Sequence, residues 1–236
     1  ADYLSSITDY WRVFSGHTKE AGDACEVFLK SIINVDQYPL TRLSSTTASE
    51  TAKVMENTYR ATNIAFIDEW TKYAESIGID LFEVLGAIRK RPTHSNICYP
   101  GLGVGGYCLT KDPTFAPAAA KQLFQKELDF PFSKMAVKIN HRMPLHTVNR
   151  MTSLLGGDLN KKHLLICGIS YRQDIGDTRF SPTEILVREL VSRYAKVTCH
   201  DPYLSYWEEL DIELNLKLPS AMDFDAIIMA VPHKEY

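Results

Sequence analysis

One glycine-rich segment of the sequence contains the parts of an activated nucleophile. Residues 105–112 read GGYCLTKD, so Cys108 is followed three and four residues later by Lys111 and Asp112. A nearby cation favours the thiolate, which is the nucleophilic form of cysteine, and a carboxylate can handle a proton or a water. The alternative is a cysteine that packs as a small hydrophobe, a role that suits the two cysteines on predicted strands better.

The glycines around this cysteine have a second use. A glycine-rich loop permits close approach of the backbone to a ligand. The pattern superficially looks like a dinucleotide-binding fingerprint, but no hydrophobic strand precedes it, and that fingerprint requires one. We therefore expect Gly103, Gly105 and Gly106 to serve a substrate as backbone donors.

A lysine and an asparagine share one face of a predicted helix. Lys53 and Asn57 are four residues apart, which places them on the same side of that helix. Together they can stabilise a developing oxyanion, one by charge and the other by a hydrogen bond. An isolated pair of this kind is more often a solvated helix face.

A third motif, residues 170–179, reads SYRQDIGDTR and follows a predicted buried strand. Open α/β sheets bind ligands beyond the carboxyl ends of their strands. Arg172 and Arg179 can each form bidentate hydrogen bonds with a phosphate. The alternative is a polar surface loop with two solvated arginines.

Hydrophobic periodicity predicts an α/β chain with three domains. The first is the tail of a domain whose beginning is absent, with a strand at 12–15 and a helix over 18–33. The second is a helical middle domain with a long spine helix. The third is a doubly wound, Rossmann-like α/β domain that is incomplete. The predicted boundaries are 1–43, 44–157 and 158–236.

The spine helix is the strongest of these predicted elements. Thr47 and Glu50 form a capping box, and apolar side chains follow at helical spacing as far as Gly78, which predicts about 30 residues. A helix of this length in a small protein often lies at a dimer interface. Further helices are expected at 80–89, 114–125 and 133–155.

Prolines and glycines modify this pattern. Pro144 is expected to bend the last of those helices, and glycines are expected to exclude regular structure from residues 91–113. In the third domain, Ser181 is the predicted N-cap of a helix with Pro182 at its first position and Glu184 completing a capping box. The predicted strands are 163–168, 196–200 and 226–231.

The composition gives no sign of a nucleic-acid-binding, membrane-spanning, disulfide-rich or metal-binding protein. A net charge of −3, without basic runs, gives no reason to expect nucleic acid as a partner. No apolar stretch approaches the roughly 18–20 residues that cross a bilayer, so no membrane partner is expected. The five cysteines are scattered, which suggests neither disulfides nor a metal site and fits a reducing cytoplasm.

Three signatures together resemble the UDP-glucose/GDP-mannose dehydrogenase family. They are ExxKxxxN at 50–57, PGxGxGGYCLxKD at 100–112 and DxGDTR at 174–179. The glycine–cysteine signature is highly specific, whereas KxxxN is shared more widely among hydroxyacid dehydrogenases. The resemblance covers the chain from Arg12 to the C-terminus.

The resemblance implies an NAD-dependent, four-electron dehydrogenase. Members oxidise the C6 alcohol of a nucleotide sugar to an aldehyde, trap it as a thiohemiacetal and oxidise that to a thioester, which water hydrolyses. Cys108 would be the nucleophile, Lys53 and Asn57 the oxyanion-stabilising pair, and Asp112 the carboxylate that handles water or a proton.

The resemblance also implies binding residues and partners. Lys111 and Arg179 match positions that contact the NAD pyrophosphate, and the partners would be a UDP-sugar and a second subunit held through the long helix. Arg91 lies near the position of an arginine that reaches the substrate from the partner subunit. The implied substrate-binding residues are Gly103, Gly105, Gly106, Arg172 and Arg91.

The chain departs from the family at its start. The N-terminal Rossmann domain that binds NAD is missing, so this chain alone is expected not to turn over. Residues 139–144, INHRMP, resemble members that act on UDP-N-acetylhexosamines. The alternatives are a UDP-glucose 6-dehydrogenase, a two-electron hydroxyacid-type dehydrogenase, and a non-catalytic module that binds a sugar nucleotide and dimerises.

Overall fold

A computed structural model describes residues 3–215 and 217–236. Ala1, Asp2 and Leu216, which fall within the first and third predicted domains, lie outside the described residues. The chain divides into two compact units, Ala1–Asn57 and Thr58–Tyr236. Among the described residues, no helix combines the length and the apolar character needed to cross a bilayer.

The first unit contains two short helices and a small parallel sheet. Thr18 caps the second helix by accepting a hydrogen bond from the Ala21 N–H at 3.2 Å, and the first strand pairs with the second in parallel. The predicted strand at 12–15 and the predicted helix at 18–33 are therefore confirmed. The elements are α1 (Tyr3–Thr8), β1 (Val13–Phe14), α2 (Lys19–Lys30) and β2 (Thr41–Arg42).

The spine helix α3 spans Thr46–Ile77, 32 residues, and the boundary between the two units falls inside it. The predicted capping box is wrong by two residues, because it is Ser45 whose hydroxyl accepts a hydrogen bond from the Ala48 N–H at 3.2 Å. Thr47 instead lies within the first turn. The helix ends as predicted at Gly78, whose φ of +76° is a conformation that glycine adopts without strain.

The second unit continues with four helices, three of which match the predicted ranges. Asp80 caps the first of them through bonds from two backbone N–H groups, and Pro144 lies inside the last. The helices are α4 (Leu81–Ile88), α5 (Tyr107–Lys111), α6 (Phe115–Phe124) and α7 (Pro131–Leu154).

The expectation of no regular structure at residues 91–113 is wrong at both ends of that range. A short 3-10 helix covers Pro92–His94, and α5 starts immediately after Gly106. The glycines end at 106, and the next five residues carry ordinary side chains that can continue a helical turn. Only the stretch between these two pieces lacks helix or strand.

The C-terminal part of the second unit is a parallel sheet with helical cover. Its three strands are β3 (His163–Cys167), β4 (Lys196–His200) and β7 (Ala226–Met229). They lie in the order β4-β3-β7 and both pairings are parallel. The central strand is apolar and buried from Leu164 to Cys167, as its sequence predicts. The elements are β3 (His163–Cys167), α8 (Pro182–Ser192), β4 (Lys196–His200), β5 (Tyr206–Trp207), β6 (Ile212–Glu213) and β7 (Ala226–Met229).

The α8 cap differs in one detail from the predicted one. Ser181 accepts a hydrogen bond from the Thr183 N–H at 3.2 Å, as expected of an N-cap. Glu184 does not complete a capping box, because its carboxylate binds Arg188 one turn later at 2.7 Å. The β5–β6 hairpin was not predicted, since each strand has only two residues.

One apolar core packs the sheet against helices α7 and α8. Leu164 and Ile166 of β3 and Leu186 and Leu190 of α8 are fully buried, and Val148 of α7 belongs to the same cluster. Burial of this kind contributes about 1.5–3 kcal/mol for each large aliphatic side chain. The mixed α/β class, with a helical part followed by a Rossmann-like sheet, is confirmed, and this core fixes the carboxyl edge of the sheet on which the basic motif lies.

Candidate active site

Cys108 lies in the first turn of α5 and is exposed to solvent. The turn is closed at its start by Gly106, whose carbonyl accepts a hydrogen bond from the Thr110 hydroxyl at 2.8 Å. Gly106 has φ +76° and ψ 175°, which L-residues with a side chain rarely adopt. The glycine directly before Tyr107 therefore sets the direction in which the helix and its cysteine begin.

The other thiols of the second unit have different surroundings. Cys167 and Cys199 are buried on β3 and β4, and burial raises the pKa of both, that of Cys199 to about 12. Cys98 is partly buried, and burial raises its pKa as well. Within this unit, Cys108 is thus the thiol that solvent and a ligand reach most easily.

A lysine and a carboxylate follow Cys108 on the same short helix. The Asp112 N–H donates to the Cys108 carbonyl, so the two residues are one turn apart. The Asp112 carboxylate is largely buried and forms an ion pair with Lys111 at 3.1 Å. The Lys111 ammonium also lies 4.6 Å from the centre of the Phe115 ring. A buried carboxylate beside a cation is thereby held close to the cysteine along the helix.

The glycines of the cysteine segment, residues 101–111, are required by close packing. A Cβ on Gly103 would lie 2.7 Å from a Pro182 carbon. A Cβ on Gly105 would lie 2.5 Å from the Tyr171 Cβ and 2.8 Å from the Phe180 carbonyl oxygen. Such distances leave no room for a side chain, so the glycines let the segment lie directly on residues 171–182.

The cysteine segment contacts the basic loop, residues 170–179, through its backbone and through an aromatic ring. The Gly106 N–H donates to the Arg179 carbonyl at 3.0 Å. Tyr107 packs edge-on against Phe180, with 5.0 Å between ring centres, and the Arg179 guanidinium lies 5.0 Å from the Tyr107 ring centre. The residue before the cysteine is thus held between two side chains of the basic-loop region.

The two arginines of the basic loop are both exposed. Arg179 forms a bidentate ion pair with Asp177, with contacts of 2.9 Å and 2.5 Å. That pair lowers the pKa of the Asp177 carboxyl and raises the pKa of the guanidinium. Arg172 carries a second exposed guanidinium on the same loop, so the loop presents two cations at the carboxyl edge of the sheet, as the sequence predicts.

A buried polar network underlies the basic loop. The Asp201 Oδ2 atom accepts hydrogen bonds from the Ile169 and Ser170 N–H groups at 2.9 and 3.1 Å. It also lies 3.1 Å from the His233 Nε2 atom, and the Asp201 and His233 side chains are fully buried. Neither residue was predicted from the sequence, although each follows a predicted strand at the edge where the motif lies.

Three further residues were predicted, two of them in the first unit and one in the second. Lys53 and Asn57 lie on α3 in the first unit, where Lys53 forms an exposed ion pair with Glu56 at 3.3 Å and Asn57 is only 1% exposed. Arg91, in the second unit, borders an apolar groove beside α3 and α4. The second unit thus brings Cys108, Lys111, Asp112, the glycines and Arg179 together, whereas Arg91 borders a groove that none of them lines.

Comparison with known proteins identifies the family. Residues 47–142 match the model of the UDP-glucose/GDP-mannose dehydrogenase family, central domain, and residues 165–236 match the UDP binding domain of the same family. The UDP-N-acetyl-D-mannosamine dehydrogenase of Methanocaldococcus jannaschii is 30% identical over 233 residues, which cover 99% of this chain and 51% of that protein.

Solved structures give the same result. The NDP-N-acetyl-D-galactosaminuronic acid dehydrogenase of Methanosarcina mazei Go1 superposes with a TM-score of 0.83 at 26% identity, over 98% of this chain and 50% of its own. The UDP-D-ManNAc dehydrogenase of Pyrococcus horikoshii superposes with a TM-score of 0.79 at 26% identity, over 98% and 52%.

These matches cover the chain from end to end, while the chain spans about half the length of the curated relatives it matches. The signature that bears Cys108 falls within the matched central domain, and the basic loop falls within the matched UDP binding domain. The chain therefore belongs to the UDP-glucose/GDP-mannose dehydrogenase family.

Proposed function

We propose that the protein oxidises the C6 alcohol of a UDP-N-acetylhexosamine to the carboxylate through a thioester on Cys108. The observation that carries this proposal is the exposed thiol of Cys108 on a segment that packs directly against the basic loop. A nucleophile must be accessible to its electrophile. A nucleotide sugar whose phosphates bind the basic loop would be held beside the segment that presents this thiol.

The proposed chemistry balances in atoms and electrons. Loss of a hydride from C6 and a proton from its hydroxyl gives an aldehyde. The Cys108 sulfur adds to the aldehyde carbon and the carbonyl oxygen gains a proton, which gives a thiohemiacetal. Loss of a second hydride and a proton gives the thioester, and water then cleaves its carbon–sulfur bond to release the acid and restore the thiol.

Asp112 and Lys111 support the steps that move protons. Asp112 lies one turn from Cys108 and its carboxylate is largely buried, which suits it to accept a proton from the attacking water. Lys111 forms an ion pair with that carboxylate at 3.1 Å and so holds its orientation. The proposal gives Asp112 the water-handling role that the family resemblance implies.

The family resemblance implies NAD⁺ as the hydride acceptor, and this group would supply the oxidant for both oxidation steps. Lys111 and Arg179 fit its pyrophosphate because both are cations with 47% and 58% of their side chains exposed. They also flank Tyr107, Lys111 one turn along α5 and Arg179 over the ring. These two residues would hold the cofactor, as the sequence predicts.

The choice of substrate follows from two arguments. Relatives of several species are named UDP-N-acetyl-D-mannosamine dehydrogenases, and one is named for an N-acetylgalactosamine-derived acid. The INHRMP segment, on α7, resembles members that act on the same sugar class.

We propose Arg172 as a phosphate contact, since its guanidinium is exposed on the basic loop.

The first test asks whether a UDP-sugar covers Cys108. The 236-residue chain is alkylated with iodoacetamide, with and without UDP-N-acetylmannosamine, UDP-N-acetylgalactosamine or UDP-glucose, and the peptides are quantified by mass spectrometry. An N-acetylated sugar at ten times its Kd is expected to slow Cys108 labelling about tenfold, and Cys98 serves as the internal control. Protection by UDP-glucose alone would overturn the substrate class, and no protection by any of the three would overturn the site.

The second test asks for the covalent step. The C6 aldehyde of the protecting sugar nucleotide, labelled with ¹³C at C6, is expected to give a thiohemiacetal signal with the chain and none with Cys108→Ser. A two-electron hydroxyacid-type dehydrogenase and a non-catalytic binding module both predict protection without this adduct. Protection of Cys108 without this adduct would therefore exclude the thioester mechanism.

We propose that Lys53 and Asn57 stabilise the oxyanion, as the family resemblance implies. Both belong to the first unit, and removal of one oxyanion donor typically lowers a rate by about 10²–10³-fold. Lys53→Met is therefore expected to slow adduct formation about 10²-fold while Cys108 alkylation stays unchanged. An unchanged rate of adduct formation would exclude the role for Lys53.

We also propose a homodimer through α3. The exposed face of this helix in the second unit is aromatic, with Phe66, Trp70 and Tyr73 about half exposed and in contact with one another. Beside it lies an apolar groove of about 520 Å³, bordered by Arg91. Contiguous apolar surface of this kind is typical of protein interfaces, and a second copy of the chain is its proposed occupant.

The dimer is tested by mass measured in solution. Trp70→Lys is expected to convert the protein to monomers in light scattering, because it puts a charge in the middle of the aromatic face. Phe132→Lys is the matched control, since Phe132 is an aromatic residue of α7 that is 79% exposed elsewhere. A wild-type monomer, or a dimer that survives Trp70→Lys, would refute the interface.

A further inference from the structure

We propose that His233 is a positioning residue, which holds the basic loop in its ligand-binding shape through the backbone N–H of Asp174. The inference rests on the proposed function of that loop in phosphate binding. It adds to that function a buried histidine that contacts no ligand, and it states which of the two ring nitrogens performs the role.

The hydrogen bonds of His233 define its tautomer. The Asp174 N–H donates to Nδ1 at 2.9 Å, so Nδ1 must be the unprotonated acceptor. Nε2 lies 3.1 Å from the Asp201 carboxylate and 3.0 Å from the Ser170 hydroxyl, so Nε2 carries the proton. The ring therefore connects a buried carboxylate on one side to the tip of the basic loop on the other.

The loop tip has a backbone conformation that needs such support. Asp174 has φ +60°, in the left-handed region that residues with a side chain seldom adopt. Two hydrogen bonds tie it to the segment after β7, one from its own N–H to His233 and one from the Lys234 N–H to its carboxylate at 3.0 Å. Uncommon conformations persist where surrounding contacts determine them.

The other parts of the loop have further anchors besides the Nδ1 atom of His233. Asp201 binds the N–H groups of Ile169 and Ser170 at the loop start. The Tyr171 N–H donates to the Asp177 carbonyl at 2.8 Å, which closes the loop on itself. Arg172 lies between the Ser170 anchor and the tip, so the position of its guanidinium depends on both.

The arrangement explains how the basic loop can be preorganised although its surface is polar and exposed. A loop that must order itself on binding loses affinity, because part of the binding free energy is spent on that ordering. The Nδ1 acceptor of His233 keeps the tip in one conformation before a ligand arrives. Loss of this acceptor should therefore weaken phosphate binding without breaking the core below.

Two substitutions separate the two nitrogens. In His233→Asn the amide occupies the position of Nδ1 and retains an acceptor for the Asp174 N–H, but loses the donor toward Asp201. In His233→Gln the amide reaches the position of Nε2 and retains that donor, but loses the acceptor. If His233 only supports the core through Asp201, Asn is the more damaging change, whereas the positioning role makes Gln the more damaging one.

The experiment measures UDP affinity by calorimetry, amide exchange of Asp174 by NMR and the thermal midpoint of all three proteins. For His233→Gln we expect UDP to bind about fivefold to tenfold more weakly and the Asp174 amide to exchange at least about tenfold faster. Of the three quantities, the thermal midpoint should change least. For His233→Asn we expect affinity and exchange within about twofold of wild type.

Each readout can overturn the proposal separately. The reverse order of the two variants, with Asn the weaker binder and the faster exchanger, would show that the core contact carries the role. A proton found on Nδ1 in the ¹⁵N spectrum of the wild type would exclude the acceptor. If the wild-type chain does not bind UDP, the proposed function fails, and Asp174 exchange still decides the question of positioning.

Discussion

The cysteine segment and the basic loop touch each other, yet they are held in place by different kinds of contact. The cysteine segment fits because Gly103 and Gly105 leave no gap against Pro182 and Tyr171. The basic loop is fixed by a buried carboxylate that accepts several hydrogen bonds. The first region should therefore be sensitive to added volume, and the second to the loss of an acceptor.

The largest expected contrast concerns two thiols, one on the cysteine segment and the other buried in the sheet on whose edge the basic loop lies. Cys108 is exposed on the cysteine segment, whereas Cys199 is buried on β4 and burial raises its pKa to about 12. Burial therefore keeps the Cys199 thiol protonated at pH 8 and out of reach of a reagent in solvent. Iodoacetamide should thus label Cys108 at least about 10³-fold faster than Cys199, as measured by peptide mass spectrometry. Comparable rates would contradict the assigned burial.

Loss of the acceptor under the basic loop should be the largest effect on stability. Asp201→Ala leaves buried N–H groups of Ile169 and Ser170 without a partner, at about 1–3 kcal/mol each. We expect the free energy of unfolding to fall by about 3 kcal/mol or more in urea titration. Asp201→Asn, which retains one acceptor oxygen, should lose less, and equal losses in both variants would argue against this network.

Added volume in the cysteine segment should have a smaller effect on stability. Gly105→Ala puts a methyl group within 2.5 Å of the Tyr171 Cβ, which should cost about 1–3 kcal/mol and displace Cys108. Gly101→Ala is the matched control, because nothing lies within 4 Å of its added carbon. Calorimetry and Cys108 alkylation measure both changes, and similar behaviour of the two variants would refute the close packing.

The smallest effect is electrostatic and lies where the two regions meet. Hydrogen bonds from Arg179 lower the pKa of the Asp177 carboxyl from its ordinary 3.8. A lowered carboxyl pKa contributes stability above the unfolded value, and that stability is lost as pH falls through the folded value, below about pH 4. Arg179→Gln should raise the pKa of Asp177 in a carboxyl NMR titration. An unchanged titration would show that the ion pair is not formed in solution.

Sequence patterns predicted the elements that depend on local periodicity and turn residues. The 32-residue α3, its end at Gly78 and the buried strand β3 were all predicted closely, because each has a repeat that a single segment reveals. The Ser45 cap was missed since Thr47 and Glu50 offered an equally good pattern nearby. Two-residue strands such as β5 have no periodicity to detect.

Tertiary relations were less accessible to sequence. Cys108, Lys111 and Arg179 were predicted as site residues from motifs, and the structure brings them around Tyr107. That Gly105 packs on Tyr171 could not be predicted, since the two positions are far apart in the chain and no local rule links them. Asp201 and His233 were missed for the same reason, because each acts through a partner on another strand end.

The strand order of the C-terminal sheet has a consequence for how the protein is made. β3 lies between β4 and β7. β7 follows β3 some sixty residues later in the chain, and the His163 N–H donates to Asp225 across 62 positions. During synthesis at about 5–20 residues per second, β3 and β4 emerge first and pair with one edge uncovered for several seconds. An apolar central strand with a free edge is open to association with other chains. Nascent copies should therefore depend on chaperone cover until β7 leaves the ribosome and closes that edge.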